Sequence, residues 1–174
     1  MQYIHETSGF HVTKGGSFRK WFVNLEYLVN WESDGYDIRN FVDEKGKQRS
    51  RPQNMDYYFR EGITWSTLSS GQLSMRYSAK GVMFETKGSE CFFRDNQDLK
   101  YVLGMVNTKV AGSVLSLMCP TLDFHEGPVG RIPVINDDER QEFINKLVDE
   151  SILISQGDWD SFETSWDFKK HPMI

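Results

Sequence analysis

YYFREGITWSTLSSGQLSMRYSAKGVMFETKGSECFF, residues 57–93, is the stretch whose pattern sets the reading of the whole chain. Short alternating segments at 63–68, 73–78, 82–86 and 91–93 are separated by the small-residue turns Ser-Ser-Gly (69–71), Ala-Lys-Gly (79–81) and Lys-Gly-Ser (87–89). That is the signature of strands joined by tight turns. Within 73–78 the period of two sends Leu73, Met75 and Tyr77 to one face and Ser74, Arg76 and Ser78 to the other. An apolar face backing a row of hydroxyls and a cation predicts a small sheet that turns its donor face toward a polyanion.

Outward from this segment the pattern stays mixed. Residues 10–13 and 25–31 predict strands, with Lys14-Gly15-Gly16-Ser17 as a tight loop. Tyr36, Ile38 and Phe41 fall at near-helical spacing, and Ser33 or Asp34 is a suitable cap for a short helix over 34–42. Residues 43–53 are polar and basic without periodicity, hence a loop. Downstream, apolar positions from Leu99 to Met118 make a helical stripe with candidate breaks near Asn107 and Gly112. Strand-like segments are expected at 121–125 and 129–135. A second helix opens at Asn136-Asp137-Asp138-Glu139 and runs to about 156, its apolar face formed by Phe143, Ile144, Leu147, Val148 and Ile152. An acidic, aromatic tail closes the chain. These elements predict an α+β fold: a twisted, mostly antiparallel sheet with packed helices over 1–135, and a helical and acidic extension over 136–174.

The 174 residues suffice for a substantial core. Two cysteines without metal-ligand or disulfide-scaffold spacing fit a reducing compartment. No apolar run reaches the roughly 18 residues of a membrane span, and the N-terminus lacks a signal-peptide pattern, so a cytoplasmic chain without a membrane partner is expected. The net charge of −5 argues against a polyanionic partner only until its distribution is read. Residues 1–94 hold 13 Lys and Arg against 11 Asp and Glu, whereas 95–174 hold 7 against 14. Lys45, Lys47, Arg49 and Arg51 crowd into KGKQRSR, and local density governs phosphate affinity. The competing interpretation is a solvated loop.

No sequence motif supplies a catalytic centre. The four histidines have no ligand spacing, and nucleophile-elbow, P-loop and dinucleotide motifs are absent. Lys14-Gly15-Gly16-Ser17 has the composition of a phosphate-holding loop, but a strand-to-strand turn is the favoured interpretation. Glu85-Thr86-Lys87 with Asp56 matches a Mg²⁺ nuclease pattern, yet about one such triplet is expected by chance at this composition. For nucleic acid, Lys14, Arg19, Lys20, Lys45, Lys47, Arg49 and Arg51 are candidate phosphate contacts. Arg60, Thr64, Ser66, Ser69, Ser70, Arg76 and Lys80 are candidate base readers. Trp65 and Tyr77 alternate with polar neighbours and are assigned to the core.

EGITWSTLSSGQLSMRYSAKGVMF (61–84), VNTKVAGSVLSLMCPTLDFHEGPVGRIPV (106–134) and DWDSFETSWDFKKHP (158–172) together resemble the C-terminal part of BREX-type adenine-specific DNA methyltransferases, the PglX-like family. KGGSFRKWFVNLEYLVNWESDGYDIRNF (14–41) is similar to the preceding segment of that family. More distantly, the helix ending in Asn-Thr-Lys followed by Gly-Arg-Ile-Pro-Val resembles target-recognition domains of restriction–modification systems. The resemblance implies a domain that binds double-stranded DNA and selects sequence while a neighbouring methyltransferase domain uses S-adenosylmethionine. This chain has neither a Gly-rich S-adenosylmethionine loop nor an Asn-Pro-Pro-aromatic motif. It is therefore expected to be a C-terminal piece that recognises DNA, without catalytic residues, cofactor or metal of its own. The alternative class is a protein-interaction module for other defence-system proteins, the acidic half doing the binding.

Overall fold

The computed structural model describes residues 9–69, 72–119 and 123–171, without the side chains of residues 96 and 97. In chain order the elements are β1 (Gly9–Thr13), β2 (Trp21–Phe22), β3 (Tyr27–Asn30), α1 (Glu32–Arg39), β4 (Gly62–Ser66), β5 (Met75–Ser78), β6 (Met83–Phe84) and β7 (Gly88–Phe92). The helices α2 (Asn96–Val106), α3 (Lys109–Met118), α4 (Glu126–Val129) and α5 (Asp138–Trp159) follow. The fold is α+β, as the sequence predicts, but the strands form two mixed sheets. One has the order β3-β1-β6 and the other β2-β5-β4-β7. β1 pairs antiparallel with β3 and parallel with β6; β4 pairs antiparallel with β5 and β7, and β2 runs parallel to β5.

The apolar face of the second sheet, with Ile63, Trp65 and Met75, joins a core shared with Leu99, Leu103 and Val106 of α2 and Val148, Ile152 and Trp159 of α5. The Trp65 indole N–H reaches the Phe124 carbonyl at 2.8 Å, so this ring is core, as expected. Gly104 lets α2 and α5 approach closely. A Cβ there would lie 2.9 Å from Cγ2 of Val148. The terminal helix thus contributes Val148, Ile152 and Trp159 to the same core as the second sheet. The tail also packs back, with Trp166 6.3 Å from the His11 ring.

The opposite face of that sheet is buried as well, which corrects the expectation of a solvent-facing donor row. Arg76 is 1% exposed and Ser78 0%. The 14–17 loop packs over Arg76. Arg76 Nη1 donates to the Gly15 carbonyl at 3.2 Å and Nη2 to Ser66 Oγ at 2.8 Å, while Ser66 Oγ donates to the Gly16 carbonyl at 3.3 Å. Gly15 and Gly16 have φ of +79° and +110°, the region glycine tolerates. A Cβ on Gly15 would lie 2.9 Å from the Lys87 carbonyl oxygen. The glycines therefore close a polar layer between the sheets.

The apolar stripe breaks at one of the two places the sequence offers, and two further elements depart from the sequence pattern. The apolar stripe of 99–118 is two helices bent by 73°. The break is at Asn107, whose side chain accepts from Met75 N at 3.1 Å and donates to Met75 O at 2.9 Å. Thr108 then caps α3 by accepting from Ala111 N at 3.2 Å. Around 34, neither Ser33 nor Asp34 caps a regular helix: Ser33, Asp34 and Gly35 are left-handed, and Asp34 pairs with Arg39 at 2.6 Å. The Gly35 backbone is pressed on the Trp31 ring, which rewards the unusual turn with burial. Residues 129–135 form no strand; α4 occupies 126–129, leading to a loop. Of the expected strand at 121–125, residues 121 and 122 lie outside the described residues, and Asp123 makes a single bridge to Leu68.

Candidate nucleic-acid interface

The basic segment between α1 and β4 is a turn organised by one carboxylate. Asp43 Oδ1 accepts from the backbone N–H of Lys45 at 3.0 Å and of Lys47 at 2.9 Å, and Oδ2 accepts from Arg49 Nε at 2.9 Å. Gly46, at φ +74°, supplies the reversal, and Val42 and Gln48 close a bridge below it. The aspartate is thus spent on the turn and on Arg49. Lys45 and Lys47 project from it, and Arg51 follows. All three are exposed, and among the described residues none of them is in an ion pair. Tyr36, Phe41 and Val42 are exposed around the turn. Cations interleaved with exposed aromatic rings can engage phosphates electrostatically and bases or sugars by contact.

The other candidate residues divide sharply. Lys14 is exposed, its Nζ 4.9 Å over the Tyr27 ring. Arg60 is exposed beside Tyr57 and Phe92, at 5.1 and 5.4 Å from their ring centroids, and Lys80 is exposed in the β5–β6 turn. Arg19 holds the C-terminal helix instead, and Lys20 the break between α2 and α3. Arg19 pairs with Asp158 at 2.9 Å, donates to the Ser155 carbonyl and lies over Trp159, while Lys20 Nζ donates to the Asn107 carbonyl at 2.7 Å. Thr64, Ser66 and Arg76 are buried in the inter-sheet layer, so as base readers they are corrected: they offer no surface to a duplex in this structure. Their types and alternation suited readout, but the first sheet covers them. Ser69 is half-buried, its hydroxyl 3.4 Å from the Gln72 carbonyl, and Ser70 lies outside the described residues.

Beside Arg51 the structure holds a cleft of ≈ 700 Å³ that the sequence pattern did not single out. Trp31, Tyr58 and Phe84 form one wall, Tyr58 meeting the other two rings at 82° and 79° with centroids 5.2 and 5.1 Å away. Asn54 and Glu90 also line it, with Glu85 and Glu126. Glu85 accepts from the Lys87 backbone N–H at 3.1 Å, and Glu126 accepts from the Ser89 hydroxyl. Glu90 differs. Both its oxygens are shielded from solvent without a hydrogen bond of regular geometry. Burial pushes its carboxyl up to about 7, with the facing Ser78 hydroxyl holding the rise back. The run Tyr57-Tyr58-Phe59 was the available sequence signal for this site, but aromatic density alone does not separate a cleft wall from core.

Chemistry elsewhere is sparse. No group of three or more His, Cys, Asp and Glu among the described residues is placed to hold a metal ion. Glu85 and Lys87, the nuclease candidates, are joined by a turn hydrogen bond as neighbours in the β6–β7 turn. Burial pushes the Cys91 thiol up to about 12, which leaves it a poor nucleophile. No helix among the described residues is by itself long and apolar enough to cross a membrane.

No protein-family model matches the chain. Two curated proteins do. The adenine-specific methyltransferase BrxX of Escherichia coli O9:H4 (strain HS) is 40% identical over 95% of this chain. The adenine-specific methyltransferase PglX of Lacticaseibacillus casei (strain Zhang) is 39% identical over 99% of it. The chain spans only 13% and 14% of the length of those relatives. It therefore matches a fragment of a BREX-type methyltransferase, as its motifs suggest.

Proposed function

Since the chain matches a fragment of BREX-type adenine methyltransferases, we propose that it is a DNA target-recognition domain of such an enzyme, within a phage-defence or restriction–modification system. The observation that carries this reading is the Asp43-centred turn, which leaves Lys45, Lys47 and Arg51 exposed and, among the described residues, outside any ion pair. Lys14, Arg60 and Lys80 are further exposed cations for backbone contacts. Methyl transfer from S-adenosylmethionine belongs to the methyltransferase domain of the parent enzyme. This chain has neither of the motifs expected for it. Its role is to hold and select double-stranded DNA while adenine is extruded into a partner domain's pocket.

A different observation favours a protein-binding role beside this one. On α5, Phe143, Leu147 and Ile154 recur at spacings of four and seven residues on one outward stripe, Phe143 63% and Ile154 74% exposed. That stripe suits docking on the rest of the parent enzyme, or on another defence protein. Anisotropy of a labelled duplex at rising salt separates the two roles. Target recognition predicts affinity that falls steeply and linearly in log–log form. Absence of duplex binding at low salt would leave the interaction module.

A further inference from the structure

We propose that the cleft between β6, β7 and the 50–58 segment is a nucleobase pocket, taking an unstacked base that presents an amino group. The proposal rests on the DNA reading for its biological setting, but its chemistry is local. Trp31, Tyr58 and Phe84 supply an aromatic wall of the kind that binds flat heterocycles. The ≈ 700 Å³ volume lies within the roughly 300–1,000 Å³ typical of small-molecule sites. Glu85 and Glu126 each have one carboxylate oxygen hydrogen-bonded within the protein, whereas neither oxygen of Glu90 has a hydrogen bond of regular geometry, so Glu90 is the acceptor with most to gain from a ligand's donor. A buried carboxyl faced by the Ser78 hydroxyl but held by no hydrogen bond of regular geometry is costly to the fold, and an exocyclic amine is a group that would satisfy it. Carboxylates accept from cytosine N4, and Asn54, on the same lining, has the paired donor and acceptor that adenine's edge matches.

Arg51 joins this pocket to the proposed DNA surface. It belongs to the basic segment and also lines the cleft, which places a cation where the phosphate of an inserted nucleotide would pass. Glu90 lies on β7 opposite Thr64, and Arg76 lies opposite the same Thr64 on the other side. The two buried charges thus flank one residue of the sheet's inner face.

The test titrates the 174-residue chain with the deoxyadenosine, deoxyguanosine, deoxycytidine and thymidine 5′-monophosphates by calorimetry, alongside the duplex salt series. At least one amino-bearing nucleotide is expected to bind with Kd in the range of about 0.1–1 mM. Thymidine monophosphate should be the weakest, and Glu90→Gln should weaken the preferred nucleotide about tenfold. Tyr58→Leu should weaken all of those that bind, which decides the matter should Glu90→Gln fail to fold. Equal affinity for all bases, no binding, or Tyr58→Leu and a folded Glu90→Gln that both bind as the parent does, would overturn the pocket. Duplex binding without nucleotide binding would overturn the pocket and leave the DNA reading standing. Nucleotide binding without duplex binding would support the pocket and count against that reading.

Discussion

Asp43 and Arg49 are joined through a single carboxylate oxygen, Oδ2, which receives Nε at 2.9 Å and lies 2.8 Å from Nη2. The other oxygen holds the backbone of Lys45 and Lys47. One acid thus neutralises one cation of the segment and shapes the turn that presents two more. Charge arithmetic and geometry make opposite forecasts for its removal. Asp43→Ala adds a net positive charge, yet it removes the acceptor of three N–H groups. We expect weaker duplex binding by a few-fold and loss of amide-exchange protection at Lys47, measured by anisotropy and hydrogen exchange. Tighter binding would show that charge alone matters.

Arg19 and Lys20 are cations spent on architecture. Arg19→Ala should cost about 1 kcal/mol or less of stability, since its partner Asp158 is exposed and the ion pair is screened. It should leave duplex affinity nearly unchanged. Loss of DNA binding with the fold intact would return Arg19 to the interface.

Asn107 is the hinge between α2 and α3 and holds both backbone groups of Met75. Asn107→Ala would strand a buried N–H and a buried C=O together, so about 2–4 kcal/mol should be lost in urea unfolding. Asn107→Asp keeps only the acceptor and should also destabilise. A near-neutral result for both would mean that the bend is set by packing alone.

Glu90 makes stability depend on pH. Its folded-state value of about 7 lies above the unfolded value of 4.5, so the folded state binds the proton more tightly. Its contribution is fully present below the unfolded value and is lost as pH rises from about 4.5 through about 7. The loss should be on the order of 3 kcal/mol. Glu90→Gln should remove this slope and raise stability above pH 7. An identical pH profile in the variant would place the titration elsewhere.

The alternation in 73–78 correctly separated Leu73, Met75 and Tyr77 from Ser74, Arg76 and Ser78. It could not say that the polar side also faces protein. A period of two reports which residues share a face, and a polar layer closed by another sheet has the same pattern as a wet surface. The β1 strand, the 14–17 loop and the start of α5 were legible because caps, glycines and apolar spacing are local signals. The left-handed turn at 33–35 was not, because burial of Trp31 against Gly35 is a long-range reward that overrides local preference. The basic turn was legible as a charge run, whereas the cleft joins residues from 12 to 126 and exists only once the chain is folded.

The central claim is that the turn around Asp43 meets phosphates. Replacing Lys45, Lys47 and Arg51 together by serine, with Arg49 kept as Asp43's partner, tests it most directly in a duplex-binding salt series. The prediction is an intact fold, weaker binding, and a log–log salt slope flatter by about 2–3, near 0.9 for each phosphate that the variant no longer neutralises. An unchanged slope at unchanged affinity would contradict the account and remove this turn from the interface.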